Sequence, residues 1–173
     1  MAQLYFLKEC GFHQYCSYWY GGFTAFLITP PALYFFAYPL LVLFNNIQYA
    51  TYFSMILLYL LGLIFVYYYG KQNNYSNTKI ILFFLLFFAN AIAIGNHIRQ
   101  GRIIELFSFI ILIPFSILIF KYKSEHITKK MFLLLSIVYA ILIISHFQEA
   151  FLFSFLFLGL FLYKRNKDRI YIL

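Results

Sequence analysis

Two pairs of ionisable side chains interrupt a chain that is otherwise strongly apolar. Arg102 and Glu105 stand three positions apart at the start of an apolar run, and His146 and Glu149 have the same separation. Residues at i and i+3 share one face of a helix, so the members of each pair can interact. An ionisable group inside a membrane costs about 2.5–3.5 kcal/mol on insertion scales, which makes it a functional candidate by default.

The two pairs are suited to different ligands. Arg102 with Glu105 could hold a phosphate or a sugar at the membrane boundary, with the guanidinium as the anion anchor; alternatively, they form an ion pair that only sets the depth of the helix. His146 with Glu149 could bind a divalent metal or a polar head group, although two ligands are an incomplete set for a metal. Their alternative is a polar loop at the membrane surface.

Two further groups of residues are candidates for binding. His97 and Arg99 could complete an anion site with Arg102, or they could be loop residues whose side chains snorkel to water. An aromatic and glycine turn near the start of the chain could line the same site or belong to an interfacial aromatic belt. The members of this turn are Trp19, Tyr20, Gly21 and Gly22. Cys10 and Cys16 could form a disulfide if this segment faces an oxidising compartment, but two buried free thiols are the expectation.

Hydrophobic helices must position all of these residues. The composition is 64% hydrophobic and only 10% charged, whereas a soluble domain has about 25% charged residues. Lipid is therefore the expected solvent, and a crossing helix needs about 20 apolar residues. The sequence predicts one all-α domain, a polytopic transmembrane bundle of about six helices, some of them short or kinked by proline. Its Lys and Arg residues lie in short clusters between apolar runs, which is typical of membrane anchors and not of nucleic-acid binding.

The apolar runs give approximate bounds for these helices. Residues 1–23 are expected to form an interfacial loop segment. The six helices are expected at about 31–44, 49–69, 80–95, 103–120, 131–145 and 149–163. If all six cross, every Lys and Arg except Arg99 and Arg102 lies on one side, which the positive-inside rule makes cytoplasmic. If residues 24–44, with their three prolines, do not cross fully, the N-terminal segment lies outside and the basic loops stay inside.

Three stretches resemble the GT-C superfamily, membrane glycosyltransferases that use polyprenyl-phosphate sugars, and above all the prokaryotic membrane proteins labelled "6-pyruvoyl-tetrahydropterin synthase-related". The first stretch is Met1-Ala2-Gln3-Leu4-Tyr5-Phe6-Leu7-Lys8-Glu9 with the later Trp19-Tyr20-Gly21-Gly22-Phe23 and Pro30-Pro31. The second is Gly101-Arg102 through Glu105-Leu106-Phe107, and the third is Ile144-Ser145-His146 before an apolar run.

The resemblance implies a protein of the prokaryotic plasma membrane that transfers a sugar from a polyprenyl-phosphate donor. It implies that Arg102 and Glu105 line a cavity that includes Trp19 and the first loop. In the family an Asp and then a His precede the Met-Ala stretch. Here Met1 falls where that stretch begins and Glu9 does not match the Asp. We therefore expect the first helix and the catalytic Asp to lie upstream of Met1, and we assign no catalytic residue and no metal ligand.

Two other functions remain open on sequence grounds. A non-catalytic assembly partner or scaffold predicts no shared cavity around Gly21, Arg102 and His146. A small transporter predicts a polar path through the bilayer, for example by way of Asn90, and broken helices in matching halves. Membrane lipid is an expected partner in every case, and a polyprenyl-phosphate sugar only in the first.

Overall fold

A computed structural model describes residues 2–18, 21–27, 29–99 and 102–164, and this part of the chain is mostly helical. A short antiparallel ladder of β1 (Tyr15–Cys16) and β2 (Phe23–Thr24) follows the first helix. A π-helical turn, Gly95–Arg99, precedes α6. The helices are α1 (Ala2–Cys10), α2 (Ala32–Phe44), α3 (Ile47–Gln72), α4 (Asn77–Phe88), α5 (Ala91–Ile94), α6 (Ile103–Ser124), α7 (Lys129–Ser145) and α8 (Phe147–Tyr163).

Two of these helices are long and apolar enough to cross a membrane, which indicates a membrane protein. They are α3 and the part of α6 from Ile103 to Lys123; α4 with the residues Ala91–Arg99 makes a third span if this pair, bent by 44°, is one broken helix. The expected bundle of six crossings is not confirmed. The helices α2, α7 and α8 have 13, 17 and 17 residues, fewer than the ~20 that a crossing needs.

Local side chains explain where the helices begin and break. The helix expected near residue 31 begins at Ala32 after Pro31, and α3 begins after Asn46, whose side chain accepts hydrogen bonds from the amides of Gln48 and Tyr49. The continuous helix expected over 80–95 is wrong, because Asn90 interrupts it. The Asn90 side chain accepts a hydrogen bond from the Ala93 amide at 2.9 Å and donates one to the Leu86 carbonyl at 2.6 Å. An asparagine that satisfies both helix ends stabilises the break.

The N-terminal segment is more ordered than the expected interfacial loop. Leu4, Phe6 and Leu7 of α1 are buried in a cluster with residues of α2. The expectation of free thiols is also wrong, since Cys10 and Cys16 form a disulfide. Gly11, with a φ of +83°, turns the chain directly after α1, so that Cys16 returns to the end of the helix.

The bundle has two chemically different ends. Because α3 and α6 run parallel, with Gly62 beside Ile110 and Tyr69 near Ile117, their last turns lie at the same end. We call this the lysine end. Its members are Lys71, Lys79, Lys121, Lys123, Lys129, Lys130 and Lys164. The opposite, arginine end holds Arg99 and Arg102 where α6 begins.

The N-terminal segment lies at the arginine end. The Lys8 ammonium donates to the Asn45 side chain at 3.1 Å, beyond the last turn of α2. The buried cluster of α1 and α2 also contacts Ile104 in the first turn of α6. This placement agrees with the arrangement in which residues 24–44 do not cross fully.

The disulfide can be tested directly. We expect intact, unreduced protein to take up no iodoacetamide under denaturing conditions and to take up two labels after reduction, as measured by mass spectrometry. Replacing both Cys10 and Cys16 by serine should lower the free energy of unfolding by about 2–3 kcal/mol, the loop-entropy value for a short loop. Labelling of the unreduced protein would contradict the pairing.

A second test concerns the contact between α3 and α4. A Cβ atom at Gly70 would lie 2.4 Å from Ile80 Cγ1, whereas one at Gly159 would meet nothing within 4 Å. We expect Gly70→Ala to destabilise the protein by about 1–3 kcal/mol through overpacking, and Gly159→Ala to stabilise it slightly. Thermal unfolding in detergent measures both variants, and equal midpoints would argue against the close approach of the two helices.

Candidate functional site

The two ionisable pairs, far apart in sequence, meet at the arginine end. The Ser108 hydroxyl of α6 donates a hydrogen bond to the Glu149 carboxylate of α8, across 41 positions. Arg102 Nη1 lies 3.4 Å from Glu105 Oε1, and His146 Nδ1 lies 3.9 Å from Glu149 Oε1. These five residues, which we call the polar cluster, join the beginning of α6 to the junction of α7 and α8.

The backbone at His146 explains why Glu149 reaches α6. His146 has an extended conformation and lies between the last residue of α7 and the first of α8. Its amide donates to the Leu142 carbonyl, and its carbonyl accepts from the Ala150 amide, each at 3.0 Å. The chain thus turns at one residue without a loop. Glu149 and Glu105 both lie in the first turns of their helices, where the helix dipole favours a negative charge.

Exposure falls across the polar cluster from its arginine to its deepest carboxylate. The side chains of Arg102 and Glu105 are 56% and 27% exposed, and those of His146 and Glu149 are 21% and 14% exposed. Glu105 adds a second negative charge near Glu149. The cluster therefore offers a cation at its rim and two carboxylates with an imidazole further in. Such a set suits a ligand with an anionic group and several hydroxyl groups.

One buried atom of the cluster lacks a hydrogen-bond partner. His146 Nδ1 is inaccessible to solvent and has no hydrogen-bond partner among the described residues. Its nearest charged neighbour, Glu149, is beyond hydrogen-bonding distance at 3.9 Å. Buried polar atoms are normally paired, but a ligand would reach this nitrogen only if the His146 side chain or its neighbours moved to expose it.

Of the three residues predicted to form an anion site, His97 and Arg102 are in contact through the backbone of Arg102, and the anion site itself stays a prediction. His97 is buried, and its Nδ1 lies 3.4 Å from the Arg102 carbonyl oxygen. The Arg102 amide donates to the Asn96 carbonyl at 3.2 Å, which closes the link before α6. Arg99 is exposed at the end of the π-helical turn, and no described contact joins it to the polar cluster.

The aromatic and glycine turn is not joined to the polar cluster by any described contact. Gly21 and Gly22 have φ values of +75° and +118°, and the Tyr15 hydroxyl donates to the Gly21 carbonyl at 2.9 Å. Trp19 and Tyr20 lie outside the described residues, as does Gly101. The predicted cavity between Trp19 and Arg102 therefore stays a prediction. The N-terminal segment does reach α6 at Ile104, directly beside Glu105.

Ser108 is the residue that the sequence interpretation missed. It continues the series of Arg102 and Glu105 at the same spacing of three, and a helical periodicity read one step further would have included it. Nothing in the sequence signals its partner on α8. A divalent metal gains no support in the part of the chain that the structure describes, where no three His, Cys, Asp or Glu side chains could together hold an ion.

The bond between α6 and α8 is measurable as a coupling free energy. A hydrogen bond to a charged group contributes about 1.5–3 kcal/mol, so Ser108→Ala and Glu149→Ala should show a coupling of that order in a double-mutant cycle of unfolding. Ser154 is a matched control, because its hydroxyl donates only to the Phe151 carbonyl of its own helix. Ser154→Ala with Glu149→Ala should show no coupling, and equal couplings would contradict the contact.

No protein-family model, curated protein or solved structure matches this sequence. The contacts of the polar cluster are therefore the basis for a functional proposal.

Proposed function

We propose that this chain is part of a GT-C-like membrane glycosyltransferase and that its polar cluster binds the head group of a polyprenyl-phosphate sugar. The supporting observation is the convergence of Arg102–Glu105 and His146–Glu149 through the hydrogen bond from Ser108 to Glu149. Arg102, Glu105 and His146 lie in the stretches that carry the sequence resemblance, and Glu149 follows the last of them by three positions. A purely local role for each pair would not require them to meet.

The charge distribution supports an external site in this proposal. The lysine end would face the cytoplasm by the positive-inside rule, which leaves the polar cluster and the N-terminal segment on the outer side of a plasma membrane. The helices α7 and α8 would pack on α6 between these two ends, and α2 would stay with the N-terminal segment on the outer side. Such a bundle would bring the head group of a membrane lipid level with the polar cluster.

The residues of the polar cluster would divide the work of binding. Arg102, half exposed, would contact the lipid phosphate, and Glu105 would hold its guanidinium in place. Glu149 and His146, further from solvent, would accept and donate hydrogen bonds to sugar hydroxyls. None of the described residues is assigned as the base of the transfer reaction.

A non-catalytic scaffold is the second candidate. The observation that favours it is that Arg102, Glu105, Ser108 and Glu149 each already have a partner inside the cluster. In that case the cluster only fastens α6 to α8, and exposed ion pairs of this kind contribute little by themselves. The two candidates differ in whether a ligand competes for these side chains.

Ligand binding separates the two functions. We expect the protein in phosphatidylcholine nanodiscs to bind a short-chain polyprenyl phosphate and its monoglycosylated form, measured by thermophoresis. Arg102→Gln should weaken the binding of both about tenfold, the loss of one charge-assisted hydrogen bond. Glu149→Gln should weaken only the glycosylated form. Lys130→Gln, an exposed charge at the lysine end, is the matched control and should change neither.

Two outcomes of the binding experiment would contradict the proposal. If neither probe binds while Ser108 and Glu149 remain coupled in unfolding experiments, the cluster is a fastening between helices and the scaffold is the better function. If Lys130→Gln weakens binding as much as Arg102→Gln, the attraction is a general one between cations and phosphate.

A further inference from the structure

An apolar groove lies between α4 and α6, with α3 at its base. Its volume is about 210 Å³, and its walls are hydrophobic side chains, among them Val66, Phe83, Phe87, Leu112, Ile113 and Phe120. The rings of Phe87 and Phe109 lie 6.5 Å apart at the side nearer the arginine end. We call this feature the Tyr69 groove, because Tyr69 of α3 also lines it.

Cationic and polar side chains surround the other end of the groove. Tyr69 also lines two further cavities at the lysine end, of about 510 Å³ and 520 Å³. The first includes Tyr75 and Lys79, and the second includes Gln72 and Lys121. The groove shares Val66, Tyr69 and Phe83 with the first cavity and Tyr69, Ile117 and Phe120 with the second. The cavities are therefore neighbours, with Lys79 on the α4 side of the groove and Lys121 on the α6 side.

We propose that the Tyr69 groove binds an anionic phospholipid, with one acyl chain between α4 and α6 and the phosphate between Lys79 and Lys121. This site lies at the end of the bundle opposite the polar cluster and does not depend on the proposed glycosyltransferase function. Lysine clusters directly beside membrane-spanning helices are typical of segments that bind anionic lipids.

The length of the groove fits a single acyl chain. From Phe109 to Phe120, α6 rises about 17 Å at 1.5 Å per residue, and one leaflet of the hydrocarbon core is about 15 Å thick. A helix of a second copy is a poorer occupant, because a helix with its side chains is about 10–12 Å wide.

The charges at this end of the groove favour a phosphate. Lys79 lies in the first turn of α4, where the helix dipole disfavours a cation and a neighbouring anion offsets that effect. Lys121 lies 4.0 Å from Glu125, and both side chains are about half exposed, at 48% and 53%. Lys121 also has a further interaction within the protein. An ammonium carries three N–H donors, so Lys121 can contact a phosphate in addition to these partners.

Native mass spectrometry of the intact chain tests the charge requirement. The protein is released from detergent micelles after incubation with phosphatidylglycerol or phosphatidylcholine of the same acyl chains. We expect one phosphatidylglycerol to be retained at least tenfold more than phosphatidylcholine, and Lys79→Gln with Lys121→Gln to abolish this preference. The matched control is Lys129→Gln with Lys130→Gln, two exposed lysines in the first turn of α7, which should retain the lipid as the unaltered protein does.

The proposed contact between the acyl chain and the groove is tested with a variant that leaves every charge in place. Ser116 lines the groove, and Ser116→Phe should fill it and reduce the retained phosphatidylglycerol at least fivefold. Leu60 lines a different apolar depression, between α3 and α4, whose lining residues include no lysine. Leu60→Phe adds bulk there and should have no effect. Circular dichroism and the unfolding midpoint show that each variant is folded.

Three results would overturn the proposal. Equal retention of the two lipids would contradict a preference for an anionic lipid, because phosphatidylcholine also has a phosphate but carries no net charge. Equal loss in the two double-lysine variants would show a general surface attraction instead of a site. A mass of two chains that Ser116→Phe reduces to one, without bound lipid, would show that a second copy occupies the groove.

Discussion

The packing of α6 against α3 is the contact on which the other features depend. These two helices are the ones long enough to cross a membrane alone, and Leu58 and Leu106 are fully buried where they meet. In a bilayer, a helix is stable because its backbone groups bond within the helix, so the side chains are free to decide which helices associate. Gly62 contributes to this choice, since it brings α3 close to Ile110 of α6 and to Phe88 of α4.

Helix α6 of this pair carries polar side chains at both ends of the bundle. Its first turn carries Glu105 toward α8, and its last turn carries Lys121 and Lys123 to the opposite end. A helix of 22 residues is about 33 Å long, close to the ~30 Å thickness of the hydrocarbon core. Polar side chains on such a helix are therefore stable only near its ends, which is where the polar cluster and the lysines lie. Two serines, Ser108 and Ser116, lie further inside the helix. The hydrogen bonds of Ser108 to Glu149 and to the Glu105 carbonyl explain its burial.

The sequence predicts the helices better than it predicts their contacts. The apolar runs place α2, α6 and α8 closely, because each run is bounded by a proline or by charged residues. They do not reveal the break at Asn90, since one asparagine inside an apolar run does not tell whether it caps a helix or faces a cavity. The disulfide was missed because free thiols are also common in buried segments. The approach of Glu149 to Ser108 depends on how α7 and α8 pack on α6, and no local pattern contains that information.

Phe109 connects the two proposed binding regions in one packed path. Its ring lies 6.5 Å from that of Phe87 at the side of the Tyr69 groove nearer the arginine end, and 6.1 Å from that of His97. His97 in turn contacts the Arg102 carbonyl at the edge of the polar cluster. A coupling between sites requires an element with two arrangements, whereas the structure shows one arrangement of the break at Asn90. This path is therefore a packing contact, and the two proposed sites are independent of each other.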